Sequence, residues 1–258
     1  LIIKKITGLS KEQLFLNPDI PAEYNSEIKK ALQRLDSWEP FEYITENAEF
    51  YGLNFFVDSR VLIPRDDTEV MVDEVLKEIK DKDYTLIDVW TWSSCIPISV
   101  LKNTNKNIKN SFVIDISKGA LEVSKINIKN HNLEKKITQI KWDLLEDILE
   151  KKYSLENNII ITANLPYIKD EDYPNMDESV IKYEPKLALY GWKWTWFEMY
   201  ETLINQCLKL KKIYTITLFI EIGFDQKEIA EDFLEKQWLD YHIYQDNNKV
   251  DRCIKINI

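Results

Sequence analysis

The sequence predicts an α/β fold: a mostly parallel sheet flanked by helices and closed by an antiparallel last strand. Three observations carry this. From residue 84 onward, short apolar runs alternate with helical-period segments, the pattern of βαβ units. The last two runs, Tyr241–Gln245 and Cys253–Ile258, are joined by a short link through Asp246-Asn-Asn-Lys249, too short for a crossover, so they pair antiparallel. The 258 residues are 45% apolar and 30% charged, enough for one large domain with a real core and a small appendage.

In chain order, residues 1–44 read as short amphipathic helices. Ser10-Lys-Glu-Gln is a capping-box pattern, and Ile28, Leu32 and Leu35 recur at helical spacing. Residues 49–63 read as a β-hairpin turning near Asp58-Ser59 and ended by Pro64. Thr68–Lys80 is helical, with Val70, Val75, Leu76 and Ile79 on one face. The strands are Tyr84–Val89, Ser111–Asp115, Ile137–Lys141, Asn158–Ala163 and Tyr214–Glu221, then the final pair. Helices at Pro97–Leu101, Lys118–Asn130, Leu144–Lys151 and Phe197–Leu210 separate the earlier ones. The boundaries divide the chain into a partial helical N-terminal domain over 1–46, and a hairpin linker plus main domain over 47–258.

Composition excludes several classes. The net charge is −10 and no basic segment stands out, which disfavours binding of bare nucleic acid and suits a basic protein partner. Cys95, Cys207 and Cys253 are far apart and odd in number, so they read as buried free thiols of a reducing, cytoplasmic protein. His131 and His242 form no ligand cluster, so no metal is expected. No apolar run reaches membrane-spanning length. The chain opens at Leu1-Ile-Ile-Lys-Lys with neither methionine nor a signal-peptide layout, which reads as a trimmed or incomplete start. Only five glycines accompany eight tryptophans, where average usage gives about 18 glycines at this length.

Ligands of such sheets bind beyond the carboxyl ends of the strands. The first strand runs through Asp88 into the turn Trp90-Thr91-Trp92-Ser93-Ser94. Asp115 ends the second strand, where an acid can accept from both hydroxyls of a ribose; a helix N-cap is the competing reading. Asn164-Leu165-Pro166-Tyr167 follows the fourth strand. A primary amide nitrogen is a poor nucleophile, and two acceptors that hold its NH2 in line with a methyl donor would help it. The Asn164 side-chain carbonyl and the Leu165 main-chain carbonyl supply two such acceptors. Pro166 stiffens the turn and Tyr167 stacks on a planar target. A plain strand-to-loop turn is the bland alternative.

Here the sequence resembles a known family. Glu49-Phe-Tyr-Gly-Leu53, Val61-Leu-Ile-Pro-Arg65, Thr68-Glu69, Asn164–Tyr167, Tyr183-Glu-Pro-Lys-Leu-Ala-Leu189 and Asp251-Arg252 are together similar to the motif set of the HemK/PrmC release factor glutamine methyltransferases. The resemblance runs from about residue 35 to the end. It implies a class I, Rossmann-like methyltransferase fold with a seven-stranded sheet and a small helical N-terminal domain for substrate recognition. It implies S-adenosylmethionine (SAM) as cofactor and the GGQ glutamine of a peptide chain release factor as target. The amide site would be Asn164, Leu165, Pro166 and Tyr167. The cofactor site would be Asp88, Trp90, Thr91, Trp92, Ser93, Ser94, Asp115, Trp142, Asp143, Leu144 and Asn164.

One departure is systematic. Trp38, Trp90, Trp92, Trp142, Trp192, Trp196 and Trp238 stand where the family has glycine, and Trp194 lies in the same glycine-rich loop as two of them. This reads as a gene whose UGA codons mean glycine. Other readings stay open: glutamine methylation of a ribosomal protein, adenine methylation of RNA, or, if the tryptophans are genuine, a binding module without cofactor.

Overall fold

The computed structural model describes residues 2–16, 19–150, 153–169, 171–189 and 197–258. Four short helices open the chain: α1 (Ile2–Thr7), α2 (Lys11–Leu16), α3 (Asn25–Asp36) and α4 (Phe41–Thr45). The capping box before α2 is real. Gln13 N–H donates to Ser10 Oγ at 3.2 Å, and Ser10 N–H donates to Gln13 Oε1 at 2.8 Å. Strands β1 (Ala48–Phe50) and β2 (Leu53–Phe55) then form a hairpin.

That hairpin is shorter than the sequence suggests and turns elsewhere, at Tyr51-Gly52, not at Asp58-Ser59. Both turn residues have positive φ, 52° and 69°, as the two-residue turn matching strand twist requires. Tyr51 bears this conformation because distant groups hold it. Its N–H donates to Glu69 Oε1 and its Oη to Asp73 Oδ1, both at 2.6 Å. Asp58 begins a separate turn, closed by Val61 N–H on its carbonyl at 3.1 Å.

The main domain follows as α5 (Glu69–Glu78), β3 (Tyr84–Val89), α6 (Cys95–Asn103), β4 (Ile108–Asp115), α7 (Lys118–Asn130), β5 (Ile137–Lys141), α8 (Glu146–Leu149) and β6 (Asn158–Ala163). After it come α9 (Glu178–Tyr183), α10 (Lys186–Leu189), α11 (Glu198–Leu210), β7 (Thr215–Glu221), α12 (Lys227–Lys236), β8 (Asp240–Gln245) and β9 (Asp251–Asn257). Helix α12 has no counterpart in the sequence reading. Its Ala230 and Leu234 are buried and Ile229 and Phe233 pack beside them, one apolar stripe at helical spacing.

The seven main strands lie in the order β5-β4-β3-β6-β7-β9-β8, parallel except where β9 pairs with β7 and β8. Alternate residues face two apolar layers. Ile87, Val89, Ile159 and Ile161 lie in one, and Leu86, Ile160 and Phe219 in the other. This two-sided burial is why the central strands read as unbroken apolar runs. The chain winds outward from β3 through β4 to β5, then returns to β6 on the other side of β3. A crevice therefore opens at the carboxyl ends of β3, β4 and β6. No described helix is long and apolar enough to cross a membrane.

Candidate active site

Sheet register brings the site together. Val89 pairs with Ile114 on one side and Ala163 on the other, so residues 90, 115 and 164 leave the sheet at one level. The turn after β3 is fixed by its main chain. Trp90 and Thr91 N–H donate to the Ile114 carbonyl at 2.8 and 3.1 Å, and Trp92 N–H donates to Asp115 Oδ2 at 3.1 Å. Its backbone is left-handed at every second residue, with φ of 65° at Trp90, 49° at Trp92 and 63° at Ser94.

Asp88 braces this turn from below. Its carboxyl accepts from Thr91 Oγ1 at 2.5 Å and from Thr162 Oγ1 at 2.6 Å, which occupies both oxygens. Burial pushes it up to about 7, against the pull of those two hydroxyls. Ser94 Oγ sits 2.6 Å from Ser124 Oγ, tying the turn to α7. The Ser93 carbonyl accepts from Asn127 Nδ2 at 3.0 Å. Asn127 also bonds both main-chain groups of Phe56, so it pins the hairpin exit to this turn. A polar residue on the inner face of α7 was the available signal for it.

Asp115 is not the N-cap of α7. Ser117 is, its hydroxyl accepting from Ala120 N–H at 3.2 Å. Asp115 accepts from Ser117 N–H at 2.8 Å as well as from Trp92, and burial raises it to about 6. After β5, Trp142 N–H reaches the Asp115 carbonyl at 3.2 Å. Trp142 and Asp143 are exposed, and Leu144 is buried with φ of 47°.

At β6, Asn164, Leu165 and Pro166 are buried and Tyr167 is half-buried. Asn164 Nδ2 donates to Thr68 Oγ1 at 3.4 Å, and its Oδ1 has no partner among the described residues. Tyr200 Oη receives the Leu165 N–H at 3.0 Å and makes its short contact with the Glu221 carbonyl. A hydroxyl has one proton, so the Leu165 carbonyl, 3.4 Å away, keeps its acceptor capacity. Tyr167 Oη donates to Glu221 Oε1 at 3.2 Å, and its ring rests against Gly223, where a Cβ would stand 3.1 Å from Cδ2. A cavity of about 110 Å³ lies over these groups, lined among others by Leu62, Arg65, Asn164, Leu165, Tyr167 and Glu221.

Distant motifs build the walls of that cavity. Arg65 pairs with Glu184, which also accepts from Ile63 N–H at 3.2 Å. Burial pushes the Glu184 carboxyl up, and Arg65 opposes the rise. Arg252 donates to the Ile222 carbonyl at 3.1 Å and to Asp67 and Asp246 at 3.3 Å, clamping the end of β7 to the segment before α5. Glu221, Thr68, Tyr200 and Asn127 are absent from the sequence-derived site. A lone acid ending an apolar strand was the signal for Glu221.

The chain is 35% identical to a release factor glutamine methyltransferase of Clostridium botulinum, over 99% of this chain and 89% of that relative. The counterpart of Clostridium acetobutylicum is 33% identical, over 95% of this chain and 86% of its own length. The chain belongs to the release factor glutamine methyltransferase family. No protein-family model matches it. Among solved structures, the catalytic domain of human METTL16 in complex with a 3'UTR hairpin aligns with a TM-score of 0.60 at 17% identity, over 80% of this chain and 76% of that one. The N-terminal domain of human METTL16 in complex with SAH aligns at 0.53 and 16%, again over 80% and 76%. At these identities the likeness is one of fold, that of class I SAM-dependent methyltransferases.

The family implies SAM, and the crevice can be tested for it. The acceptors suit it: Asp115 and Asn164 flank the turn. The space does not. The indoles of Trp90 and Trp92 are 5% and 6% exposed, their rings 6.0 Å apart, and both belong to the apolar cluster that includes Leu144 and Leu165. Trp92 Nε1 donates to the Asn164 carbonyl at 3.3 Å, while Trp90 Nε1 is buried without a partner. Two indoles thus fill the crevice that an adenosine would enter.

Proposed function

We propose that this protein methylates the side-chain amide nitrogen of a glutamine in a peptide chain release factor, with SAM as methyl donor. One observation carries the reading: the cavity beside β6 presents two acceptors and a flat aromatic wall, the complement of a primary amide. Asn164 Oδ1 takes one N–H and the Leu165 carbonyl takes the other, which turns the nitrogen toward the crevice. Tyr167, held by Glu221 and Gly223, stacks on the amide plane. The cavity of about 110 Å³ has room for one such side chain and little more.

The remaining site residues belong to this proposal. Asp115 holds the ribose, and Thr91, Ser93, Ser94, Asp143 and Leu144 line the rest of the cofactor crevice. Asp88 contributes by bracing the turn. The helical segment over 1–46 serves release-factor recognition, supported by its contact with the end of α9, just before Glu184. The Ser37 carbonyl accepts from Tyr183 Oη at 2.8 Å and Lys182 Nζ at 3.2 Å, next to Glu184. The net charge of −10 suits a basic partner.

The test is transfer of tritiated methyl to a purified release factor by the chain carrying Trp90→Gly and Trp92→Gly, with a Gln→Ala release factor as control. Label on the intact factor and none on the control is expected. Label persisting on the control, or appearing instead on a ribosomal protein or ribosomal RNA, overturns the reading.

A further inference from the structure

We infer that glycine, not tryptophan, occupies positions 38, 90, 92 and 238 in the protein its source makes, and that glycine at 90 and 92 opens the crevice beyond β3 to a nucleoside. The helix-end positions stand independently of the proposed function; the opened crevice rests on it.

Backbone conformation is the first argument. Trp38, Trp90, Trp92 and Trp238 have φ of 66°, 65°, 49° and 55°, so four of the five described tryptophans are left-handed. A bulky residue adopts this region a few per cent of the time, and four in five by chance is on the order of 10⁻⁵. Trp142 is the exception: its backbone makes no such demand, and Trp192, Trp194 and Trp196 lie outside the described residues.

Helix ends give the second argument. After α3, Trp38 N–H bonds the Leu35 carbonyl at 2.9 Å and Glu39 N–H bonds the Arg34 carbonyl at 3.1 Å. After α12, Trp238 N–H bonds the Glu235 carbonyl at 3.0 Å and Leu239 N–H bonds the Leu234 carbonyl at 3.1 Å. Both are Schellman motifs with tryptophan at the position that favours glycine. A third such motif, after α7, has Asn132 there, the accepted substitute. Packing does not account for the indoles, since Trp238 is 94% and Trp38 is 69% exposed.

The turn after β3 gives the third argument. The bonds that tie the turn to β4 at 90 and 92 come from main-chain N–H groups, which glycine supplies equally; the one side-chain bond, Trp92 Nε1 to the Asn164 carbonyl at 3.3 Å, would be lost. The side chains add a buried indole N–H without a partner among the described residues, and fill the apolar space shared with Leu144 and Leu165 beside Asn164. An indole is a fused bicycle close to a purine in size, so its removal leaves a slot for a nucleoside base beside the Asp115 carboxyl. A single cause explains positions so far apart: UGA lies one base from the glycine codon GGA and one from the tryptophan codon UGG. Glycine encoded by UGA and translated as tryptophan also accounts for a chain with only five glycines.

Three measurements test this. The gene should carry UGA at positions 38, 90, 92 and 238, and peptides of the protein purified from its source should be lighter there by an indole side chain. UGG at any of the four, or tryptophan in those peptides, overturns the inference. Trp38→Gly and Trp238→Gly, made in the chain as written, should each raise Tm by roughly 2–4 °C through release of left-handed strain; unchanged or lower values refute the backbone argument, whatever the enzyme does. Trp90→Gly with Trp92→Gly should bind S-adenosylhomocysteine in calorimetry at least about 100-fold more tightly than the chain as written. Equal affinity refutes the opened crevice, and codon and Tm results that hold while methyl transfer to the release factor fails would count against the substrate reading alone.

Discussion

Thr68 is buried behind Asn164, and Thr68→Val removes its hydroxyl while keeping its shape. That hydroxyl accepts from Asn164 Nδ2 at 3.4 Å, so its lone pair faces Asn164. Among the described residues, only this bond marks which end of the Asn164 amide is nitrogen. Without it the amide is free to flip, placing an NH2 donor where the target's own NH2 needs an acceptor. A lost hydrogen bond plus a mispaired buried donor costs about 1–3 kcal/mol, or roughly 5- to 150-fold in rate at 1.4 kcal/mol per tenfold. The assay is single-turnover methyl transfer in the chain with glycine at 90 and 92, alongside calorimetry of the cofactor product. Thr68→Val should lose rate by that factor with cofactor affinity unchanged, and Thr68→Ser should retain it. Equal rates for the valine and serine forms would refute the orienting role.

In the same background, Asn164→Ala should cost on the order of 10²-fold in rate, and Leu165→Pro should be tolerated because only its carbonyl is used; a fully active Asn164→Ala form in the transfer assay refutes the acceptor pair. Asp88, raised to about 7 by burial, predicts a pH effect on stability. Its folded state prefers the proton, so the unfolded state binds fewer protons above about 4, and stability falls as pH rises from about 4 to 7. Asp88→Asn should flatten that fall by a few kcal/mol at most, read from urea midpoints at pH 5 and 7.5; parallel curves for both forms argue against the shift. Glu184→Gln should destabilise by about 1–3 kcal/mol, less than a fully buried pair, because Arg65 is 41% exposed; a midpoint within error of the parent would show that the pair contributes nothing.

The central strands were legible because they are buried on both faces. Tyr84–Val89 and Asn158–Ala163 keep the bounds expected of them, and so does the edge strand Ile137–Lys141, although its Thr138 and Lys141 are exposed. The hairpin turn was not, because Tyr51 takes its left-handed backbone with help from Glu69 and Asp73, partners that local sequence does not reveal. Asn164 and Tyr167 were legible as candidates at a strand end, and the structure brings both to one cavity. Their supports were not: Thr68, Tyr200 and Glu221 come from the turn before α5, from α11 and from β7, and no local pattern marks a hydroxyl or carboxyl that turns inward.

These supports change how the scattered motifs are understood. Arg65, Asp67 and Thr68 lie far in sequence from Glu184, Glu221 and Arg252, yet each braces the cavity wall or the residues that would hold the amide. Arg252 joins three of these segments at once, through Ile222, Asp67 and Asp246. A planar amide needs two acceptors at fixed positions, and a loop such as Asn164–Tyr167 holds them only if its neighbours are rigid. The motifs therefore work as one brace around a four-residue loop. Trp90 and Trp92 show the same logic in reverse. They leave that brace and the turn's main-chain bonds in place, and obstruct only the crevice where the methyl donor would lie.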